Sequence, residues 1–180
     1  MKVTLYAKPS FIDGVVFKKA IWTTMGERGY PNYPSQELLH KCLVARHSPI
    51  RELRFVFCFE DIPSNTATHL CRHVHAQPYV SSLRNDRQEK MDGDLAPRNT
   101  PVDMMLSVNA EELMVIANKR LCTQAAPKTR EVVAEMCRLA EEAFPAIKGC
   151  LVPMCEYHGG VCHEIKPCGR CKRDGMEGAE

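Results

Sequence analysis

The chain has 180 residues, 44% hydrophobic and 26% charged, with a formal net charge of +2. That length predicts one domain with a substantial core, and so balanced a charge excludes a surface that holds nucleic acid by electrostatics alone. No apolar run approaches a membrane span and Met1-Lys2-Val3-Thr4-Leu5-Tyr6 lacks a secretory pattern, so a cytoplasmic protein is expected, in which ten cysteines point to thiols or metal and not to a disulfide framework.

In chain order, the pattern predicts a strand at 2–7, a helix within 11–25 and a Gly/Tyr/Pro loop to about residue 34. Ser35 is placed to cap a helix through residue 46, with Leu39, Cys42 and Leu43 as its apolar positions. A strand at 52–60 leads to a helix at 64–76. Read at helical period, Ala67, Leu70, Cys71 and Val74 form the core face of that helix. His69, Arg72 and His73 form the opposite face, with Ala76 beside them.

Pro78 disfavours helix for the residue before it, so the helix should end near there. The stretch that follows should be a loop presenting Ser82 and Arg84. A guanidinium is a planar fork suited to phosphate oxygens, and serine hydroxyls supplement it. An Arg/His face followed by a Ser/Arg loop is therefore a candidate cradle for a nucleotide phosphate. No Gly-rich phosphate loop and no dinucleotide fingerprint accompanies it.

Residues 77–101, with Asp92-Gly93-Asp94 and several prolines, read as irregular, and Val102 to Val108 as a strand. Helices are expected at 109–125 and 127–143. Asn109 and Glu112 make a capping pair for the first. Arg120 falls on the apolar stripe of Leu113, Ile116 and Ala117, where it must snorkel outward or meet a buried acceptor. Pro127 suits the first turn of the second helix, whose core face is Val132, Val133, Met136, Leu139 and Ala140. Arg130 is expected at the surface or at an intersubunit contact. The composite is α+β: a small mixed or antiparallel sheet packed with several helices.

Beyond residue 150 the composition changes. Cys155, Cys162, Cys168 and Cys171 are interleaved with His158 and His163, and Cys168-Gly169-Arg170-Cys171 is a Cys-x-x-Cys knuckle. Such a set can hold a structural zinc ion. Reduced thiols and a disulfide pair are the alternatives. Lys166, Arg170, Lys172 and Arg173 make this tail basic, and residues 176–180 are expected to fray. The expected organisation is a catalytic domain over 1–150 and a Cys/His-rich tail over 151–180.

With these residues placed, the chain resembles the flavin-dependent thymidylate synthases, particularly their short, divergent phage-type members. Arg72, His73, Ser82 and Arg84 fit the family's Arg-His-Arg, Ser and Arg positions. Arg46-His47-Ser48-Pro49 before the strand at Leu53 to Phe59 is similar to its His/Thr-Pro element. Val108 to Met114, followed by Arg120, is similar to its Val-Asn-Ala-x-x-Leu-Met and Arg. The three elements span roughly residues 46 to 140.

The resemblance implies binding of FAD, its reduction by NADPH, and conversion of dUMP to dTMP with a one-carbon unit from methylenetetrahydrofolate. It also implies a homotetramer whose active sites are shared between subunits, with a deoxypyrimidine monophosphate as substrate and no membrane or nucleic-acid partner. On the matching positions, Arg72 and Arg84 would hold dUMP, Arg84 at the phosphate with Ser82 beside it. His69 would be a further substrate contact, and Arg98 would stand in for a substrate arginine. Arg120, expected with Arg72 to act catalytically, would meet the pyrimidine carbonyl and stabilise charge developing on the ring. Ser48, His73 and Asn109 would lie against the flavin. No cysteine adduct is expected. The chain departs from the family pattern at Val74, in place of an arginine, at Val80, in place of a glutamate, at Asn85, in place of a tyrosine, and at Val115, in place of an asparagine. These departures make hydroxymethylation of dUMP or dCMP, or a non-catalytic zinc-stabilised nucleotide- or nucleic-acid-binding role, the alternative expectations.

Overall fold

The computed structural model describes residues 1–89 and 91–173; the fraying expected for 176–180 lies outside the described residues. Strand β1 (Lys2–Ala7) is followed by α1 (Phe11–Thr24) and α2 (Gln36–Val44). A 3-10 turn (Ser48–Glu52) leads into β2 (Arg54–Pro63), α3 (Ser64–Cys71) and β3 (Gln77–Val80). Then come β4 (Pro101–Asn109), α4 (Ala110–Arg120), α5 (Pro127–Ala143), the one-turn α6 (Met154–Tyr157) and a two-residue pair, β5 (Val161–Cys162) and β6 (Lys172–Arg173). The main sheet is antiparallel throughout, ordered β1-β2-β4-β3. The expected α+β class is the one observed.

Period-two alternation decides which sheet face is covered. Phe55, Phe57 and Phe59 of β2 lie opposite Val108, Leu106 and Met104 of β4, and all six are buried. Leu70 of α3, Leu113 and Ile116 of α4, and Val132, Val133 and Met136 of α5 complete that core. The other sheet face is open. One cross-strand row on it runs Thr4, Cys58, Met105, Tyr79, with Tyr79 61% exposed.

The helix caps follow the sequence. Ser35 accepts from the Leu38 amide at 3.2 Å, and Asn109 from the Glu112 amide at 2.8 Å. Pro127 occupies the first turn of α5. On α5, Cys137 joins the core, while Leu139 is half-buried. The helix expected at 109–125 ends at Arg120, and β2 starts after the 3-10 turn.

The larger correction concerns 64–76. Helix α3 stops at Cys71, with Arg72 as its cap, so helical phase does not extend beyond that residue. The His73 amide makes a 3-10-type bond to the Leu70 carbonyl at 3.2 Å, and this turn rotates His73 inward. His73 is therefore buried, whereas Val74 is 84% exposed and Cys71 is also at the surface. Ala76, expected beside the polar face, is buried as well. Residues 77–80 form β3, and the expected irregular chain begins only after it, at Ser82 and Arg84. Proline is tolerated at position 78 because β3 is an edge strand.

Candidate active site

The α3 amides are capped from outside the helix. Ser64 donates its amide to the Thr100 carbonyl at 2.9 Å, and the Arg98 carbonyl accepts from the Asn65 amide at 2.9 Å and the Ser64 hydroxyl at 2.8 Å. These bonds pin the segment before β4 to the start of α3 and so bring Arg98 to the helix face that carries Thr68, His69 and Arg72. Together they line a cleft of about 200 Å³. The sequence-predicted substrate residues His69, Arg72 and Arg98 are thus brought together.

Behind the cleft lies a buried relay. His73 Nδ1 is 3.1 Å from Glu112 Oε1, and Arg120 Nε is 3.2 Å from His73 Nε2. Arg120 Nη2 donates to the His69 carbonyl at 2.9 Å. An arginine can only donate, so Nε2 must be the accepting nitrogen and Nδ1 must carry the hydrogen given to the carboxylate. This is the neutral imidazole. Burial, and then the charge of Arg120, hold the His73 pKa below its ordinary value despite the opposing Glu112. The Glu112–His73 contact is therefore a hydrogen bond and not an ion pair. Glu112 anchors Arg120 through the ring.

The other groups around Arg120 are mostly cationic. Burial first, then Arg120, Arg72 and Arg98, keep the His69 imidazole below its ordinary pKa, while His69 Nδ1 meets the buried Thr129 hydroxyl at 2.8 Å. Burial and then Arg72 also lower the Arg120 pKa. Three guanidiniums near one imidazole disfavour one another, and a bound anion or electron-rich carbonyl would relieve that repulsion.

A second cleft, of about 240 Å³, is lined by Arg51, Arg54, His75, Gln77, Ser107 and Asn109, with Val108 at its base. Glu111 orients Arg51 through two bonds to Nε and Nη2. Ser48 lies three residues before Arg51 in the 3-10 turn, where positions i and i+3 eclipse, so it shares the Arg51 face. Of the residues expected at the flavin, Asn109 lines this cleft and also caps α4, and Ser48 is not among its lining residues but shares a face of the 3-10 turn with Arg51. His73 lines neither cleft, both its ring nitrogens being taken by the relay.

Ser82 and Arg84 do not line the cleft that holds Arg72. Ser82 borders a broader concavity with Leu83, Arg87 and Asp103. Arg84 is held by Asp86 through two bonds of 2.9 Å and is otherwise exposed. Asn85 binds the Gly93 amide at 2.7 Å and the Asp92 carboxylate at 3.1 Å, stitching residues 81–95 together.

Several groups at these clefts stand out from no sequence pattern, Arg51 and His75 among them. Glu112 was visible only as half of a capping pair, yet its carboxylate turns inward to His73. Thr129 and Arg54 carried no spacing signal. Among the described residues, no three His, Cys, Asp or Glu side chains stand in metal-ligating geometry, so the four tail cysteines do not converge on one point.

Residues 94–146 match a family model described as "Thymidylate synthase complementing protein". That span contains Arg98, Asn109, Glu112, Arg120 and Thr129, while the segment from Arg72 to Arg84 lies outside it. No curated protein matches the sequence. The fold is similar to that of thymidylate synthase X from Helicobacter pylori, solved with FAD and dUMP, at 16% identity and a TM-score of 0.67 over 84% of this chain and 99% of that one. A second structure of the H. pylori enzyme with the same ligands is 17% identical, with a TM-score of 0.66 over 84% of this chain and 100% of that chain. The UMP/dUMP methylase PolB from Streptomyces cacaoi, bound to 5-bromo-dUMP, is 16% identical at a TM-score of 0.62, over 83% of this chain and 93% of that one.

Proposed function

From a chain that has the fold of the flavin-dependent thymidylate synthases and a segment matching that family's model, we propose a flavin-dependent enzyme that transfers a one-carbon unit to C5 of a deoxypyrimidine monophosphate. The substrate is dUMP and the product dTMP. The observation that carries this reading is the arginine-lined cleft of His69, Arg72 and Arg98, backed by the Glu112–His73–Arg120 relay.

FAD, NADPH and methylenetetrahydrofolate supply the hydride and the carbon; the protein positions, polarises and excludes water. Arg72 and Arg98 hold the nucleotide. Arg120 has Nε and Nη2 committed inward, which leaves Nη1 to donate to a pyrimidine carbonyl oxygen and stabilise charge that develops as C5 attacks. The relay keeps this arginine from swinging away, while burial first and then the nearby guanidiniums disfavour charge on both imidazoles. The second cleft fits an anionic dinucleotide: Arg51 and Arg54 suit the FAD pyrophosphate, with Ser48, His75 and Asn109 around it. His73 serves here as the group that positions Arg120.

Clefts of about 200 and 240 Å³ are smaller than the roughly 300–1,000 Å³ of ordinary ligand pockets. Walls from other copies complete them in a homotetramer. The open sheet face with Cys58, Met105 and Tyr79 is the surface for that contact, and Ser82 and Arg84, outside the Arg72 cleft, serve the phosphate in a neighbouring copy's cleft. A chain that runs as a monomer with nucleotide and FAD present would remove this part of the reading.

A second outcome on the same site is favoured by Val80, 41% exposed at the family's acidic position, and by exposed Val74 at its arginine position. With those polar groups gone, water could trap the transferred carbon and yield a hydroxymethyl product from dUMP or dCMP. The deciding experiment has two steps. The purified protein's visible spectrum is recorded before and after FAD addition and desalting, with flavin bands expected to persist. Products from dUMP and from dCMP are then identified by mass. dTMP supports the proposal, a hydroxymethyl nucleotide replaces it with the second reading, and a colourless protein that refuses FAD overturns both.

A further inference from the structure

Thr129 connects α5 to the arginine-lined cleft. It stands in the first turn of that helix, 1% exposed, and its hydroxyl is 2.8 Å from His69 Nδ1 on α3. The His69 carbonyl accepts from Arg120 Nη2 at 2.9 Å, so the backbone and the ring of this histidine are held by two different helices. His69 lines the cleft with Arg72 and Arg98, whereas Thr129 does not.

The direction of the Thr129–His69 bond decides what the imidazole can offer a ligand. A hydroxyl has one hydrogen and two lone pairs; a neutral imidazole has one N–H and one bare nitrogen. Burial first, and then Arg120, Arg72 and Arg98, disfavour the charged ring, so the two neutral tautomers are the ones that compete. With the hydrogen on Nδ1, Thr129 Oγ1 would accept it, and the hydroxyl's own hydrogen would be buried with no acceptor among the described residues. A buried donor left unpaired costs more than an idle lone pair on an oxygen that already makes one bond. The hydroxyl therefore donates, Nδ1 accepts, and the ring hydrogen sits on Nε2. Among the described residues Nε2 meets no protein group, which leaves it to the cleft. His73, four residues on, is held the opposite way, with Nδ1–H given to Glu112 and Nε2 accepting from Arg120.

We propose that Thr129 is a positioning residue whose hydroxyl fixes His69 as the Nε2–H tautomer, and that His69 thereby serves as a neutral hydrogen-bond donor to an oxygen of the bound nucleotide. The inference rests on the cleft holding a deoxypyrimidine monophosphate, as proposed above. A neutral donor suits this place, because it adds a hydrogen bond to the ligand without adding a charge that Arg72, Arg98 and Arg120 would repel. A carboxylate in place of the Thr129 hydroxyl would instead favour a second proton on the ring. The oxygen bound is either one of the phosphate or a pyrimidine carbonyl; both are acceptors, and an amino group is not.

The test uses the full chain labelled with nitrogen-15 at histidine, studied without ligand at pH 8. Long-range proton–nitrogen correlation spectra separate the two neutral tautomers, and the His69 signals are those missing from His69→Gln. Wild type should show Nε2–H for His69 and Nδ1–H for His73. Thr129→Val should lose the single His69 tautomer and leave His73 unchanged, while Thr129→Ser should restore it. In calorimetry, Thr129→Val should weaken dUMP binding about 3–10-fold, the span of one neutral hydrogen bond, and Thr129→Ser should bind nearly as wild type does. A loss shared by dUMP and dCMP assigns the phosphate oxygen, and a loss confined to dUMP assigns the carbonyl that dCMP lacks. An Nδ1–H pattern for His69 in wild type would overturn the proposal even if no variant folds. Unchanged dUMP affinity in Thr129→Val, or equal losses in the valine and serine variants, would overturn it as well. Wild type that binds neither nucleotide would sink the nucleotide reading and the donor's ligand with it, while the spectra still decide the Thr129–His69 bond.

Discussion

Replacing Glu112 by glutamine changes charge with almost no change in shape. The amide oxygen can still accept from His73 Nδ1, so the 3.1 Å contact survives while its charged character is lost. A hydrogen bond to a charged group is worth about 1.5–3 kcal/mol and a neutral one about 0.5–1.5, so this substitution removes about 1 kcal/mol at that bond. It also removes the attraction between the carboxylate and the Arg120 guanidinium, which face each other across the imidazole. For two charges roughly 8 Å apart at an effective dielectric constant of about 20, that attraction is about 2 kcal/mol. The sum, about 3 kcal/mol, should appear as a fall in Tm of about 6–12 °C in a chain of this size. Calorimetry with dUMP should show weaker binding, because Arg120 loses its anchor. Thermal melts unchanged to within a degree, together with unchanged nucleotide affinity, would refute the relay as an energetic element and reduce the Glu112–His73–Arg120 alignment to coincidence.

Protonation offers an independent route to the same groups. His69 and His73 both have folded-state pKa values below the ordinary 6.5, so below about pH 6.5 the unfolded chain binds more protons than the folded one. Stability should be full above that pH and decline as pH falls through it, and His69→Gln should flatten part of the slope in melts followed by circular dichroism. At the nucleotide phosphate, Arg84→Ala should weaken dUMP binding by about 1.5–3 kcal/mol in calorimetry, and unchanged binding would remove Arg84 from the site. Asp86→Asn should instead strengthen binding by about 0.2–1 kcal/mol, since Arg84 must leave an exposed carboxylate to reach a ligand. Gly93→Ala should loosen residues 81–95, because its Cβ would stand 1.8 Å from the Leu83 carbonyl oxygen; faster limited proteolysis within that segment is the readout, and an unchanged digestion pattern would contradict it.

The parts of the fold that were legible carry local instructions. Ser35, Asn109 and Pro127 mark helix starts through capping chemistry that operates within a few residues, and the alternating phenylalanines of β2 specify their own face. The end of α3 was not legible, because nothing at Cys71 or Arg72 stops a helix. The stop comes from Ala76 and Leu70 seeking the core around the short turn that buries His73. Pro78 suggested a loop for the same local reason, and only the sheet order shows it on an edge. Within the site, Arg120 on an apolar stripe was a readable anomaly, and the structure supplies the buried acceptors it required. Glu112 was not readable as its partner, since residue 73 and residue 112 meet only through packing.

The edge position of β3 bears on how copies of this chain can meet. The Ser81 amide points to the Asp103 carbonyl of β4 at 2.8 Å, so by two-residue alternation the amides at 79 and 77 face inward and those at 78 and 80 face out. Position 78 is proline and has no hydrogen to offer. An incoming strand would find a single main-chain donor, at Val80, along this border, too few to start a ladder. Lateral growth of the sheet into a ribbon or fibril is blocked at that border by one residue, and self-association is turned toward broad, closed contacts between faces.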